Sequence, residues 1–390
     1  MKKKILLLLL CVALLLCAPH TGAEEPPAIR AATPQQFDVP CQAAILIDED
    51  SGTVLYEKNA DQPRAIASIT KVMTLLLTFE ALEQGKVQRS ELVPVSEHAY
   101  HMGGSQIWLE PGEEMTLDDL LKAICISSAN DAAVAVAEFI GGSEPVFVEA
   151  MNARAAELGM TSTHFENACG LDAEGHLSTA RDVALMSREM LLHHTEVRDY
   201  CSVWMDTLRG GATQLVNTNK LLKSYQGITG LKTGTTGRAG VCISASAERN
   251  GLRLIAVVLG SASGKERFEA ATALLDYGFA HYENLTAELP PDAPRSLPVE
   301  GGTEETVELQ YTAPGRYLTE KGSEQRMEVQ LQLPAGLEAP VKEGQQVGSV
   351  QLVRGQQMLQ TFPVCAKQGV DALSFGYCLK RLCKALVGAA

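Results

Sequence analysis

Ala67-Ser68-Ile69-Thr70-Lys71-Val72-Met73-Thr74 is the stretch on which the reading of this chain turns. A serine and a lysine three residues apart fall on one face of a helix, so the Lys71 amine can reach the Ser68 hydroxyl. A neutral amine there can take the proton as the oxygen attacks a carbonyl. Ser-x-x-Lys alone recurs by chance in most chains of this length. Two later triplets give it weight: Ser128-Ala129-Asn130 and Lys232-Thr233-Gly234. A loop between helices is expected to supply the second hydroxyl and an amide. A strand is expected to carry the third, with Gly234 letting a substrate backbone lie close against its edge. In that order the three specify a serine acyl-transfer site, and Ser68 becomes its nucleophile rather than the N-cap that an isolated helix-start serine would be.

Upstream, Ala43 to Glu49 and Thr53 to Glu57 flank Asp50-Ser51-Gly52, a hairpin pattern. Downstream of Ser68, Met73, Leu75, Leu76, Leu77, Phe79 and Leu82 belong to a helix. Thr116-Leu117-Asp118-Asp119 has the form of a capping box and starts another, which leads into the Ser128 loop; Asp131 to Ile140 is the next. Beyond Lys232, Val241–Ala247 and Leu252–Gly260 flank Arg249-Asn250-Gly251, a second hairpin. A helix from about Gly264 to Phe279 follows. Strands at both ends and helices in the middle predict an α/β class, an antiparallel sheet covered by helices.

Ser-x-x-Lys, Ser-Asp-Asn (here Ser128-Ala129-Asn130) and Lys-Thr-Gly are the set shared by class A β-lactamases and penicillin-binding proteins. From about Cys41 to Tyr282 the chain resembles the low-molecular-mass penicillin-binding proteins, the serine-type D-Ala-D-Ala carboxypeptidases. The likeness includes Leu109-Glu110-Pro111-Gly112-Glu113, Ser128-Ala129-Asn130-Asp131-Ala132-Ala133, His176-Leu177-Ser178-Thr179-Ala180 with Asp182, and Gly230-Leu231-Lys232-Thr233-Gly234. It implies the serine β-lactamase/penicillin-binding transpeptidase-like fold, with the site between the sheet and a helical lobe. It also implies a substrate, the peptidoglycan stem peptide, β-lactam antibiotics as covalent inhibitors, and no metal or cofactor.

On that likeness Ser68, Lys71 and Ser128 are the catalytic residues. Lys71 serves as base provided burial and nearby cations lower its pKa; Lys232, with a second positive charge, is the family's means of depressing it, and Ser128 passes a proton to the leaving amine. Asn130 holds Lys71 and the substrate amide. Backbone N–H groups of Ser68 and Thr235 meet the oxyanion. Lys232 and Thr233 contribute to binding a terminal carboxylate, and Gly234 opens the strand edge. Arg267 stands where the family carries an arginine that reaches the site, although a solvated helix arginine is the other reading. His176 and Asp182 are expected to be structural. Two departures stand out: Ala168-Cys169 precede Gly170-Leu171-Asp172 where the family usually has Pro-His, and Thr235 follows the third motif where histidine is frequent.

Two other functions compete. A serine β-lactamase would need a carboxylate to activate the deacylating water. Glu166 lies in the right stretch, but Asn167-Ala168-Cys169 follow it rather than the class A pattern. A catalytically silent cell-envelope binding or scaffold protein is the other, and the intact motif residues argue against it.

The formal charge of −14 becomes about −17 once Lys2, Lys3 and Lys4 are removed with a leader, which argues against nucleic acid as partner. That leader is expected over residues 1–23: three lysines, an apolar run from Ile5 to Ala18, and small residues at Thr21-Gly22-Ala23. A polar lead follows over 24–40, then the catalytic domain, 41–283. A linker over 284–298 is marked by Pro290, Pro291, Pro294 and Pro298, and a small β domain over 299–366 by alternating runs such as Met327–Leu333. The tail, 370–390, places Phe375, Leu379, Leu382 and Leu386 on one helical stripe beside Lys380, Arg381 and Lys384. It reads either as a helix docked on the β domain or as an amphipathic anchor on anionic lipid. With the leader, the second reading puts the protein outside the cytoplasm, on the outer face of the cytoplasmic membrane. Among the cysteines, Cys41 and Cys242 lie in strand-like runs and Cys125 in an apolar helix, all three expected as small buried hydrophobes, and Cys169–Cys201 is the first candidate for a bridge.

Overall fold

Ile45, Ile47 and Val54 are apolar residues either side of a turn sequence, and they start the sheet on which the site is built. The computed structural model describes residues 37–286, 288–312, 316–322, 327–355 and 357–387. The leader expected over 1–23 and residues 24–36 of the lead lie outside them. Strands β1 (Ala43–Asp48) and β2 (Val54–Lys58) pair antiparallel across that turn. Strands β3 (Ile228–Thr236), β4 (Gly240–Arg249) and β5 (Leu252–Ser261) complete a five-stranded sheet in the order β2-β1-β5-β4-β3. The turn between β4 and β5 has Asn250 at φ 52° and Gly251 at φ 79°. Two positive φ angles in a two-residue loop match the right-handed twist of the flanking strands, which is why Asn-Gly occupies it.

β3 is an edge strand, so one side of its backbone is left to a substrate. Helix α1 (Lys71–Glu83) buries Val72, Met73, Leu75, Leu76 and Phe79 and is apolar around most of its circumference, as a central helix must be. Thr116 caps α2 (Leu117–Lys122), its hydroxyl accepting the Asp119 N–H at 3.1 Å. α2 runs on into a turn of π-helix, Ala123–Ser127, that ends at Ser128. Helices α3 (Asn130–Gly141), α4 (Glu144–Glu157) and α5 (Ala180–His193) fill out the lobe. One core cluster joins Phe79, Phe147 and Phe165 to the sheet residues Ile45, Val257 and Leu259. Helix α6 (Gly264–His281) follows the sheet.

The chain divides into a larger unit ending at Asp276 and a smaller one from Tyr277 onward, to which the turn Arg249–Leu252 also belongs. In the smaller unit Tyr282–Thr286 pairs antiparallel with Arg316–Glu320, and Ser296–Glu300 pairs with Thr306–Tyr311. The stretch expected as a linker, 284–298, is therefore partly strand, and its prolines 290, 291 and 294 fall between the two strands. A six-stranded sheet encloses Val307, Val350, Val364 and Val370. The expected alternation holds over Thr306–Tyr311, where Val307 and Leu309 are buried and their neighbours exposed. Helix α7 (Phe375–Val387) ends the described chain. Its stripe is open: Phe375 is 84% exposed, and Leu379, Leu382 and Leu386 are exposed too. The Tyr377 hydroxyl does donate to the Thr303 carbonyl at 3.0 Å, but the apolar face does not pack on the β domain.

Candidate active site

Ser68 sits in a 3₁₀ turn, Ala67–Thr70, directly before α1, and its side chain caps nothing. A 3₁₀ turn has three residues per turn, so positions i and i+3 eclipse. The tighter turn therefore aligns Ser68 and Lys71 better than the α-helix expected there. Ala67 takes φ 50°, and the turn is clamped from outside. The Glu166 N–H donates to His176 Nδ1 at 3.1 Å, so His176 carries its proton on Nε2 and donates it to Thr70 Oγ1 at 2.7 Å. Thr70 in turn donates to the Ala67 carbonyl at 2.9 Å. Burial drives the His176 pKa down to about 4, which keeps the ring neutral for this relay. Asp182 accepts from Ser162 N and Thr163 Oγ1 and lies in the helix-start network of α5. Both residues have the structural role expected of them.

Lys71 is completely buried, with Nζ 2.9 Å from Ser68 Oγ, 2.5 Å from Asn130 Oδ1 and 2.6 Å from the Cys169 carbonyl. An ammonium donates to all three. A neutral amine has two N–H donors and one lone pair, and Asn130 Oδ1 and the Cys169 carbonyl can only accept. The lone pair is then left for the Ser68 O–H, and this is the geometry a base needs. Burial lowers the Lys71 pKa to about 8.

Lys232, 1% exposed on β3, donates to Ser128 Oγ at 2.7 Å and to the Thr233 carbonyl at 3.0 Å. Burial first, and the Lys71 charge second, lower its pKa to about 7. Of the two expected causes, burial and a nearby cation, removal from water acts first at both lysines, and the neighbouring charge adds to it at Lys232. The pair releases a proton near neutrality.

Ser128 closes the π-turn in the left-handed region, φ 64°, and is buried. Asn130 opens α3 rather than lying in the loop. Its backbone N–H donates to the Ser105 carbonyl at 2.7 Å and its Nδ2 to Gly103 at 2.6 Å, so the loop before Trp108 orients the amide that holds Lys71. The sequence reading missed the next residue. The buried Asp131 carboxylate accepts N–H groups from Ile107 and Leu109, which fixes that loop.

Thr233 Oγ1 donates to Thr218 Oγ1 at 2.6 Å, and Thr235 Oγ1 to the Gly234 carbonyl at 2.8 Å. Gly234 is placed by close approach: a Cβ there would lie 2.9 Å from Ser68 N, 2.9 Å from the Ile66 carbonyl and 3.0 Å from Ala67 Cβ. The β3 backbone is therefore pressed against the nucleophile turn, with Ser68 N beside the strand that continues to Thr235.

Arg267, in the first turn of α6, is 8% exposed and not a solvated helix arginine. Its Nη1 donates to the Cys242 carbonyl at 3.3 Å, and Cys242 is the β4 partner of Gly234. The Arg267 Nε is buried without a partner, and burial lowers the pKa to about 10. A buried guanidinium with donors to spare suits a carboxylate. Glu166, the residue a β-lactamase reading would need, is exposed and lies 3.1 Å from His164 Nε2.

The cysteine expectations change in two places. Cys169 and Cys201 are both buried free thiols and do not form the expected bridge. Cys201 instead lies beside Cys125, and its thiol, with burial, pushes the Cys125 thiol up. Cys41 stands just before β1 rather than in a strand and is half-buried. Cys125 and Cys242 are buried as expected.

A sheet with a helical lobe, and a Ser-Lys pair facing a second serine and a strand lysine, define a serine acyl-transferase of the penicillin-binding type. Residues 30–263 match the family of D-alanyl-D-alanine carboxypeptidases classed as peptidase S11, and 292–372 match the C-terminal domain of penicillin-binding protein 5. The chain belongs to the peptidase S11 family. It is 40% identical over 98% of its length, and 98% of the relative's, to the D-alanyl-D-alanine carboxypeptidase DacF of Bacillus subtilis. Penicillin-binding protein 5 of Haemophilus influenzae superposes with a TM-score of 0.73 at 30% identity, over 86% of this chain and 99% of that one. Penicillin-binding protein D2 of Listeria monocytogenes, solved with ampicillin bound, superposes at 0.58 with 34% identity, over 63% of this chain and 100% of that one.

Proposed function

We propose that this protein is a serine D-Ala-D-Ala carboxypeptidase that removes the terminal D-Ala from peptidoglycan stem pentapeptides through an acyl-enzyme on Ser68. Penicillin and other β-lactams acylate the same serine and inhibit it. The observation that carries the reading is the Lys71 coordination, in which the two non-donating partners leave the amine lone pair to Ser68.

The terminal D-Ala carboxylate docks against Lys232, Thr233 and Arg267. A bound anion favours the charged form of Lys232, so Lys71 is the amine left neutral. Ser68 Oγ attacks the carbonyl of the penultimate D-Ala while its proton passes to Lys71. The N–H groups of Ser68 and Thr235 receive the negative oxygen. As the C–N bond breaks, Ser128 hands its proton to the departing D-Ala amine and takes back the one that Lys71 received from Ser68, which leaves Lys71 neutral. Water then attacks the ester carbonyl while Lys71 accepts its proton, and that proton returns to Ser68 Oγ as the acyl–oxygen bond breaks. The Bacillus relative, a D-alanyl-D-alanine carboxypeptidase, and the ampicillin complex of the Listeria protein support this chemistry and the inhibition.

Location and layout belong to the same reading. The leader over 1–23 is removed on export, the domain over 41–283 does the chemistry, and the β domain over 299–366 is a spacer or partner-binding module. The tail over 370–390 lies on anionic lipid at the outer face of the cytoplasmic membrane. Among the described residues no helix is long and apolar enough to cross a membrane. The open stripe of α7 supplies the burial for peripheral attachment, and Lys380, Arg381 and Lys384 the attraction to headgroups. The experiment for the activity is release of D-Ala from a D-Ala-D-Ala pentapeptide, followed by mass spectrometry. Ser68→Ala should abolish release while the fold persists; release by a folded Ser68→Ala protein would refute the assignment.

A further inference from the structure

We propose that Glu144 is a positioning residue for the base Lys71, acting through the turn Asn167–Gly170. The proposal deepens the reading of Lys71 as base and rests on it. Glu144 lies outside all three motifs, in the first turn of α4, and is 8% exposed. Its Oε1 accepts the Ala168 N–H at 2.9 Å, and its Oε2 faces His98 Nε2 at 2.6 Å.

The same turn carries the carbonyl that holds Lys71. The Ala168 carbonyl accepts from Thr74 Oγ1 at 2.6 Å, and the next carbonyl, of Cys169, accepts from Lys71 Nζ at 2.6 Å. Asn167 Oδ1 gathers the N–H groups of Gly170 and Leu171 at 2.7 and 3.1 Å. Gly170 takes φ 86°, and a Cβ there would lie 2.1 Å from the Ala67 carbonyl. The turn is thus packed against the residue before the nucleophile.

No helix or strand covers 166–173, so side chains must hold the Cys169 carbonyl in place. Thr74 and Asn167 brace it from inside. Glu144 is the brace from outside, and it binds an N–H that proline could not supply. Ala168 supplies that N–H, one residue before the carbonyl that holds Lys71.

Losing the brace should let the Cys169 carbonyl drift, leaving Lys71 misaimed while the carboxylate subsite stays intact. Misplacement of a reacting group by about 1 Å costs up to about a hundredfold. The test is stopped-flow acylation by a fluorescent penicillin, which separates the non-covalent Kd from the acylation rate constant. Glu144→Ala should lower that rate constant about tenfold to a hundredfold with Kd within about twofold of wild type. Glu144→Gln keeps the acceptor for Ala168 and should stay within about threefold of wild type. His98→Ala leaves the Ala168 contact and should do the same.

If Glu144→Ala does not fold, Glu144→Met fills the same space without an acceptor and reads the same quantity. A wild-type rate constant in either variant lacking the acceptor overturns the proposal. So does a loss that appears in Kd as much as in the rate constant. Equal losses in Glu144→Gln and Glu144→Ala overturn it too. Lys71→Ala, run beside them, tests the underlying reading separately: if it acylates normally, Lys71 is not the base whatever Glu144 does.

Discussion

Gly234→Ala isolates the close approach between β3 and the nucleophile turn. Gly234 does not use a left-handed backbone, so alanine can adopt its conformation and the effect is purely one of space. The new methyl would lie 2.9 Å from both Ser68 N and the Ile66 carbonyl and 3.0 Å from Ala67 Cβ. Ordinary contact begins near 3.4 Å, so strand and turn must part by about half an ångström. All three contacts are with backbone or with a Cβ, and no flexible side chain can absorb the shift. The displaced groups include the Ser68 N–H, one of the two oxyanion donors in the proposed mechanism. Removing one such donor typically costs about 2.7–4 kcal/mol, or a hundred- to a thousandfold in rate. Because β3 is an edge strand, the fold should survive with a small change in Tm. Stopped-flow acylation with a fluorescent penicillin measures the effect. A folded Gly234→Ala protein that acylates within about threefold of wild type would refute the reasoning.

Four further outcomes follow from the same geometry. Acylation should rise about tenfold per pH unit below neutrality and level off above about 8, because Lys71, with its pKa lowered to about 8, is a base only once deprotonated; a flat profile from pH 5 to 9 would contradict this. Lys71→Arg should lose orders of magnitude in acylation, and Lys232→Arg less, since guanidinium binds a carboxylate but cannot be a neutral base; single-turnover rates compare them. Arg267→Ala should weaken kcat/KM about tenfold to a hundredfold for a peptide with a free terminus and far less for its amide, as expected of a charge-assisted contact of about 1.5–3 kcal/mol. Truncation after Ser374 should release protein from anionic liposomes while D-Ala release continues, with full-length binding weakened by salt. The cut belongs there because Val370 and Leu373 still bond to Val341 and Gly301 of the β domain.

The sheet, its two hairpins and the three motifs were legible because each rests on local sequence. Asn250-Gly251 can only be a tight turn, and Thr116 caps its helix three residues ahead. The motif residues were legible as a set, yet their spacing did not reveal the 3₁₀ turn at Ser68 or the π-turn before Ser128. Both meet distant segments: His176 bonds to Thr70 in the first, and the Thr218 N–H donates to the Ile126 carbonyl in the second. That burial comes before the neighbouring charge in lowering the lysine pKa values was hidden for the same reason, since the degree of burial is a property of the folded lobe. Glu144, Asn167 and Thr74 carry no motif. They matter through one carbonyl at Cys169, and no side-chain pattern marks which carbonyl a lysine will use. The cysteine pairing failed likewise: Cys201 meets Cys125, which is distant in sequence, while Cys169 faces Lys71.

The most direct test of the central claim is the location of the acyl group. After incubation with penicillin, tryptic cleavage at Arg64 and Lys71 releases Ala65–Lys71, a peptide that contains Ser68. Tandem mass spectrometry should place the penicilloyl group on Ser68, and excess D-Ala-D-Ala pentapeptide should suppress the label as it is hydrolysed. A label on another residue, or one that the pentapeptide leaves untouched, would contradict the account.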